Sequence, residues 1–320
     1  MELVGWNQIL NTPQNILILG GSGFLSGTIA RLAAELGHHV TIVTRGNKPI
    51  PQGVTALQVD RSDRAAFAKL IQQQKTTWDL VVDAIAFNPE DAQQDVEVFA
   101  GQTKRFVLVS TDFVYDPNHR NIPQTETDAH YTTEGYGGKK RQAELILEQA
   151  DTAMLPWTVL RPSHIFGPGS LFGCIPLCSR DPQLIEDICQ HKPLTLVEGG
   201  RLLQHPIYAP DLAMTILSAM TDQKSVGKIL NIAGPDHFES HVYYSTLGKL
   251  LDRDVTIESI SAADFLADHP DKAPFCCDRI YDLTALEQTD LSIPKTSLEE
   301  GLKQMLVSIS KPFNPNASGC

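Results

Sequence analysis

Tyr136 and Lys140 stand four residues apart in the run Tyr136-Gly137-Gly138-Lys139-Lys140. Four residues is about one helical turn, so a helix here puts phenol and ammonium on one face. An ammonium beside a phenol favours the phenolate and lowers the Tyr pKa from about 10 toward working pH. Such a pair is a general acid/base for moving a proton on and off a carbonyl or alcohol oxygen. The same spacing also describes two unrelated side chains on a surface helix, so the rest of the chain has to decide between the readings.

A second chemical signal lies near the start. The apolar run Asn15–Leu19 ends in Gly20-Gly21-Ser22-Gly23, and a helical stretch follows from Thr28 to Leu36. Glycine at a strand-to-helix turn lets the backbone approach a pyrophosphate, and the helix N-terminus offers free N–H groups and a positive dipole end. Gly20, Ser22, Gly23, Phe24 and Leu25 are the expected cofactor contacts. The third glycine of the usual fingerprint falls at Ser26, with Gly27 beside it, and Ser is small enough for that position. An acidic residue at the end of the second strand would bond the 2′-hydroxyl of NAD, whereas Arg suits the 2′-phosphate of NADP. The chain has Thr44-Arg45-Gly46-Asn47-Lys48 there, two cations and no acid, so NADP is expected ahead of NAD. Asp60 and Arg61, after the third strand, are placed to touch the adenine and its ribose.

These groups need elements to hold them. His39–Val43, Val54–Val59, Asp79–Asp83, Arg105–Val109 and Trp157–Leu160 read as further strands. Helices are expected at Arg64–Gln74, Asp91–Phe99 and Tyr136–Leu147. Strands alternating with helices at this spacing predict an α/β, Rossmann-type doubly wound parallel sheet. Lys228–Ile232 and the helix Asp211–Met220 look like returns to that sheet. The expected domains are therefore 15–162 with a return segment of about 206–233, and a smaller substrate lobe from 163–205 and 235–310 that covers the cleft.

Ser110-Thr111-Asp112-Phe113-Val114-Tyr115 follows the fifth strand, at the C-terminal end where open α/β sheets place their sites. Further on come Leu160-Arg161-Pro162…Phe166-Gly167-Pro168-Gly169, Pro210-Asp211-Leu212-Ala213, and Ile293-Pro294…Leu298-Glu299-Glu300-Gly301-Leu302. In this order, from about Asn15 to Leu306, the motifs resemble the extended short-chain dehydrogenase/reductases, the superfamily of nucleotide-sugar epimerases and dehydratases. The resemblance implies that Thr111 hydrogen-bonds the reacting oxygen, that Tyr136 exchanges its proton, and that Lys140 binds the nicotinamide ribose and keeps Tyr136 acidic. Ala84 and Pro162 join the cofactor contacts. Homodimers are common in the family, and a homodimer is expected by resemblance alone.

Several positions depart from the family pattern. Asp112 resembles the middle of a dehydratase Thr-Asp-Glu, but Phe113 replaces the Glu, so Asp112 serves either the substrate or a turn. The stretch between Asp83 and Arg105 is short, lacks the usual Asn, and runs Asp83-Ala84-Ile85-Ala86-Phe87. The Arg that grips a diphosphate falls at Gln204, with Arg201 as a substitute. These changes resemble an atypical branch that includes the chloroplast stem-loop-binding proteins. Asp112, Phe113, His164, Arg201 and Gln204 are the candidate substrate contacts, and Phe172, His205 and Tyr208 either line the pocket or pack.

Composition bounds the alternatives. The chain is 320 residues long, 42 % hydrophobic and 20 % charged, as an ordinary globular protein is, with a formal net charge of −12 that opposes nucleic acid and anionic membranes. No apolar run approaches the roughly 20 residues that span a bilayer, and no opening leader pattern is evident. Cys174, Cys178, Cys189, Cys276, Cys277 and Cys320 form no metal-ligand framework, so idle thiols in a reducing cytoplasm and no metal are expected. The leading expectation is an NAD(P)-dependent epimerase, dehydratase or reductase for a small molecule, with a nucleotide sugar as one candidate. The alternative is a non-catalytic nucleotide sensor or RNA-binding protein on the same fold.

Overall fold

The structure is a computed structural model that describes residues 12–174 and 180–310. Cys178, Cys320, most of the lead-in before β1 and the Pro315–Cys320 tail lie outside the described residues. Seven parallel strands form the main sheet: β1 (Asn15–Leu19), β2 (His39–Thr44), β3 (Val54–Gln58), β4 (Leu80–Asp83), β5 (Phe106–Val109), β6 (Trp157–Pro162) and β7 (Lys228–Ile232). Their order is β7-β6-β5-β4-β1-β2-β3. Every residue of β4, β5 and β6 is buried, as expected of parallel strands covered on both faces. The covering helices are α1 (Phe24–Glu35), α2 (Arg64–Gln73), α3 (Pro89–Phe99) and α4 (Gly135–Glu148). Leu17, Phe67, Val81, Phe99 and Phe106 fill the core between sheet and helices, with Phe67 set edge-on to Phe99.

This order places the site. The chain builds β1, β2 and β3 outward in one direction, then returns to lay β4 on the other flank of β1. Leu19 pairs with Val43 on one side and with Asp83 on the other, so the three strand ends are level. A crevice opens outside the carboxyl ends at such a reversal, where open α/β sheets bind ligands.

Element boundaries differ from the sequence reading in instructive ways. α1 begins at Phe24 rather than Thr28, because Gly23 serves as an extended N-cap without a capping side chain. α3 begins at Pro89, capped by the Asn88 side chain, which accepts from Asp91 N. Both Asn at the cap and Pro at the first position favour a helix start.

The residues divide into two compact units. The first takes the described residues up to Ser163, Pro210–Ala233 and Ile280–Pro294. The second takes His164–Ala209, Gly234–Arg279 and the described residues from Lys295 onward. Residues 280–294, expected in the smaller lobe, belong to the first unit. Gln124 N donates to Ile280 O at 2.7 Å and Thr215 Oγ1 to Ser292 O at 2.6 Å. The second unit has its own core, with Leu184, Leu194, Tyr243, Tyr244 and Leu302 among its members, beside a parallel pair formed by Leu194–Val197 and Ile257–Ile260. Among the described residues no helix is long and apolar enough to cross a membrane.

Candidate active site

The turn after β1 is tight. Gly21 has φ +80, and a Cβ on it would lie 2.3 Å from the Ile42 side chain of β2. The strictest glycine requirement therefore falls inside the Gly20-x-x-Gly23 spacing rather than on its ends. Ser26 does more than stay small, since its Oγ accepts from Gly23 N at 3.1 Å and closes the turn. The outward side of Gly23 meets no atom but Ser26 Oγ at 3.1 Å. No side chain caps α1 and no acid stands in its first turn. Uncapped N–H groups, a positive dipole end and open space above Gly23 fit a pyrophosphate.

At the end of β2, Thr44 is buried and its Oγ1 lies 3.4 Å from Ser22 Oγ, linking the two loops. Arg45 is exposed, with its carbonyl accepting from Gln58 Nε2. Asp60 is also exposed, and its carboxylate accepts from Ser62 N and Ser62 Oγ, which hold its pKa down. Arg61 is not where the adenine reading put it. It is buried and donates to Asp83, to Asp95 Oδ1 at 2.9 Å and to Asp91 O at 3.0 Å. A guanidinium held by carboxylates inside the protein is not available to a nucleotide base. Ala84 follows β4 with its N–H on Leu19 O, and Pro162 is the buried last residue of β6.

Thr111 follows β5 and caps the short 3-10 turn Asp112–Val114, its Oγ1 accepting from Phe113 N at 3.3 Å. Tyr136, in the first turn of α4, has a half-exposed ring set edge-on to Phe113, and the Thr111 side chain pulls the pKa of its phenol down. Lys140, one turn on, is 2 % exposed and its Nζ donates to Ala86 O and Val109 O, each at 2.7 Å. The carbonyl ends of β5 and of the β4 loop thus clamp the ammonium beneath the site.

The electrostatics correct one expectation. The Tyr136 phenol sits above its ordinary pKa, through desolvation first and the Asp112 charge second, with the Thr111 side chain opposing them. Lys140 is directed at carbonyl oxygens and does not offset these effects. Burial pulls Lys140 itself down to about 8, against the pull of Asp83 and Glu144.

Gly137 explains the glycine after Tyr136. A Cβ there would come 1.9 Å from Phe113 O, so only glycine lets α4 pack against the turn that carries Thr111. Gly137→Ala is expected to lower stability by about 1–3 kcal/mol and to lower turnover as well. Exposed Lys139→Ala should do neither, and calorimetry of the two variants checks the contrast.

Two buried networks, both missed from sequence, support these groups. Glu144 on α4, fully buried, receives both Nε and Nη2 of Arg161 from β6, at 3.0 and 2.7 Å. Ser110 Oγ donates to the same carboxylate, and Arg161 Nη1 donates to Tyr115 OH at 2.9 Å. Asp112 belongs to the second network. Its carboxylate accepts from Tyr281 OH at 2.5 Å and from Arg120 Nη2 at 3.5 Å. Glu144 could have been suspected from its place one turn beyond Lys140 on the same face, but Tyr281 is too distant in sequence to leave any local signal.

The remaining substrate candidates lie in the second unit. His164 precedes a short strand and its carbonyl accepts from Ile207 N. Arg201 is exposed beside Glu198. Gln204 is 1 % exposed, and neither atom of its amide has a hydrogen-bond partner among the described residues. His205 is buried with Nε2 2.8 Å from Gly234 O, while Phe172 and Tyr208 belong to that unit's apolar core.

A Rossmann-type sheet with a glycine turn under an open helix end, and a Thr–Tyr–Lys set at its carboxyl edge, defines a nucleotide-dependent enzyme of the oxidoreductase and epimerase type. The profile of the NAD dependent epimerase/dehydratase family matches residues 16–233, and the chain belongs to that family. It is 24% identical to 2′-dehydrokanamycin reductase of Streptomyces kanamyceticus over 293 residues, 85% of this chain and 78% of that protein. It is 23% identical over 259 residues to a chloroplast stem-loop binding protein of 41 kDa from Arabidopsis thaliana, 75% of this chain and 62% of the other. An epimerase from Methanothermobacter thermautotrophicus shares the fold with a TM-score of 0.76 at 15% identity, covering 97% of this chain and 96% of that one.

Proposed function

We propose that the protein is an NADP-dependent reductase of a carbonyl carbon in a polar small molecule, with Tyr136 as its proton donor. The observation that carries this reading is the Tyr136 phenol near Thr111, one helical turn from a Lys140 ammonium clamped by Ala86 O and Val109 O. A phenol carries its proton at neutral pH, the state from which an acid gives a proton to an oxygen.

The first turn of α1 would hold the pyrophosphate of a nicotinamide dinucleotide and Arg45 its 2′-phosphate, and that group would supply the hydride when bound. Thr111 Oγ1 orients the substrate oxygen, and Tyr136 delivers the proton that completes the alcohol. Lys140, held by Ala86 O and Val109 O, would bind the nicotinamide ribose.

Two features favour reduction over dehydration or epimerisation of a nucleotide sugar. Phe113 stands where a dehydratase would need an acid, and Gln204 carries no charge for a diphosphate. The reductase named among the relatives agrees with this preference. The net charge of −12 disfavours an RNA-binding role.

Mass spectrometry of nucleotides released on denaturation, combined with single-turnover assays, tests the reading. Oxidised NADP leaving the enzyme after each turnover supports a reductase. A tightly retained, unchanged nucleotide would overturn it in favour of an epimerase or dehydratase. Arg45→Asp should weaken NADP binding by about 10- to 100-fold, as loss of a charge-assisted hydrogen bond does, while improving NAD. Unaltered relative affinities would remove the argument for NADP.

A further inference from the structure

Arg61 and the carboxylates around it do not touch any group assigned above to cofactor or substrate, yet they surround the loop that holds Lys140. Asp83 Oδ1 accepts from Ile85 N at 2.6 Å and Asp91 Oδ2 accepts from Phe87 N at 2.9 Å. Ala86, whose carbonyl receives the Lys140 ammonium at 2.7 Å, lies between those two amides. Arg61 in turn binds Asp83 and stands 3.5 Å from Asp91 Oδ1, and Arg64 Nη1 lies 2.8 Å from that same oxygen. We infer that Arg61, Asp83 and Asp91 are positioning residues for Lys140, fixing the Ala86 carbonyl through the backbone amides on either side of it.

The inference rests on the reading of Lys140 as a site residue, and it gives Arg61 a task in place of the nucleotide contact its position suggested. Asp95, the third carboxylate, is in a different state from Asp83. Burial first and the Asp83 charge second raise its pKa, against the pull of Arg61. Asp83 stays ionised against its burial through Arg61, Asp95 and the Ile85 amide. The charged and titratable groups facing Lys140 are Asp83 on β4, Glu144 on α4, Asp95 on α3 and Arg61 after β3. Asp83 faces Lys140 directly, whereas Asp91 bears on it through the loop as well, by way of Phe87 N and the Ala86 carbonyl.

That difference supplies the test. In full-length protein labelled with [ε-13C]lysine, the Lys140 resonance is assigned by its loss in Lys140→Gln and titrated by NMR. The wild type should titrate near 8. Asp91→Ala frees the Phe87 amide and should lower the Lys140 protonation constant at least about threefold, with at least about tenfold faster exchange of the Ile85 and Phe87 amides. Asp83→Asn should lower the constant by about tenfold. Wild-type titration and exchange in a folded Asp91→Ala protein would overturn the inference, leaving the cluster a purely structural ion network. If Asp91→Ala does not fold, Asp91→Asn with the same readouts decides, because it weakens the acceptor without opening a cavity. None of these readouts uses substrate, so their failure is distinct from failure of the reductase reading, which shows only in turnover.

Discussion

Replacing Tyr136 by Phe should lower turnover by about 10²- to 10⁴-fold, the usual worth of a positioned acid/base, while cofactor affinity stays near wild type. The substitution removes one hydroxyl from a half-exposed ring in the first turn of α4. The edge-on contact with Phe113 survives, Gly137 still packs on the Phe113 carbonyl, and Lys140 keeps both carbonyl partners. The structure around the lesion is therefore intact, and the lost rate belongs to the proton. Steady-state kinetics beside fluorescence titration with NADPH separates the two quantities. Equal activity in the variant and the wild type would show that Tyr136 is a surface aromatic and not the acid.

The second large effect is on stability. Arg161→Met leaves the Glu144 carboxylate, 0 % exposed, without its bidentate partner. Breaking one side of a buried pair typically costs about 3–5 kcal/mol, because the surviving charge has lost its compensation. Arg141, 3.0 Å from Glu144 Oε2, offsets part of that loss but is itself divided between Glu144 and Glu148. The double variant Glu144→Leu with Arg161→Met should recover much of the stability, since a buried ion pair exchanged for apolar side chains is often nearly neutral. Denaturant titration of both variants gives the comparison. If Arg161→Met unfolds at the wild-type midpoint, the network contributes nothing to stability.

The sheet was legible because its signal is local. Runs such as Leu80–Val82 and Phe106–Val109 are apolar along their whole length, as a doubly covered parallel strand requires. The placements of Gly23 and Thr111 were legible because each follows a strand end by a few residues, and those of Tyr136 and Lys140 because one helical turn separates them. Arg61 was misread for the opposite reason. Its position after β3 is a nucleotide-contacting place in this kind of sheet, but Asp83, Asp91 and Asp95 come from other elements and claim the guanidinium only once the chain is folded. The phenol's pKa was misjudged on similar grounds. The one-turn spacing to Lys140 is real, but the Ala86 and Val109 carbonyls that take the ammonium lie far off in sequence. Likewise Tyr281 joins Asp112 through residues 280–294, a return to the first unit that carries no periodic mark of its own.

The strand β7 that completes the sheet beside β6 is encoded only after the second unit's first segment, His164–Ala209. During synthesis at about 5–20 residues per second, β6 therefore waits on the order of several seconds for its outer neighbour. The glycine turn, Thr111 and α4 all precede that interval, so the nucleotide edge can form while the opposite margin of the sheet still exposes unpaired backbone. A chain interrupted after Ser163 keeps nearly every group assigned to the cofactor, but it carries an open strand able to recruit another copy of itself.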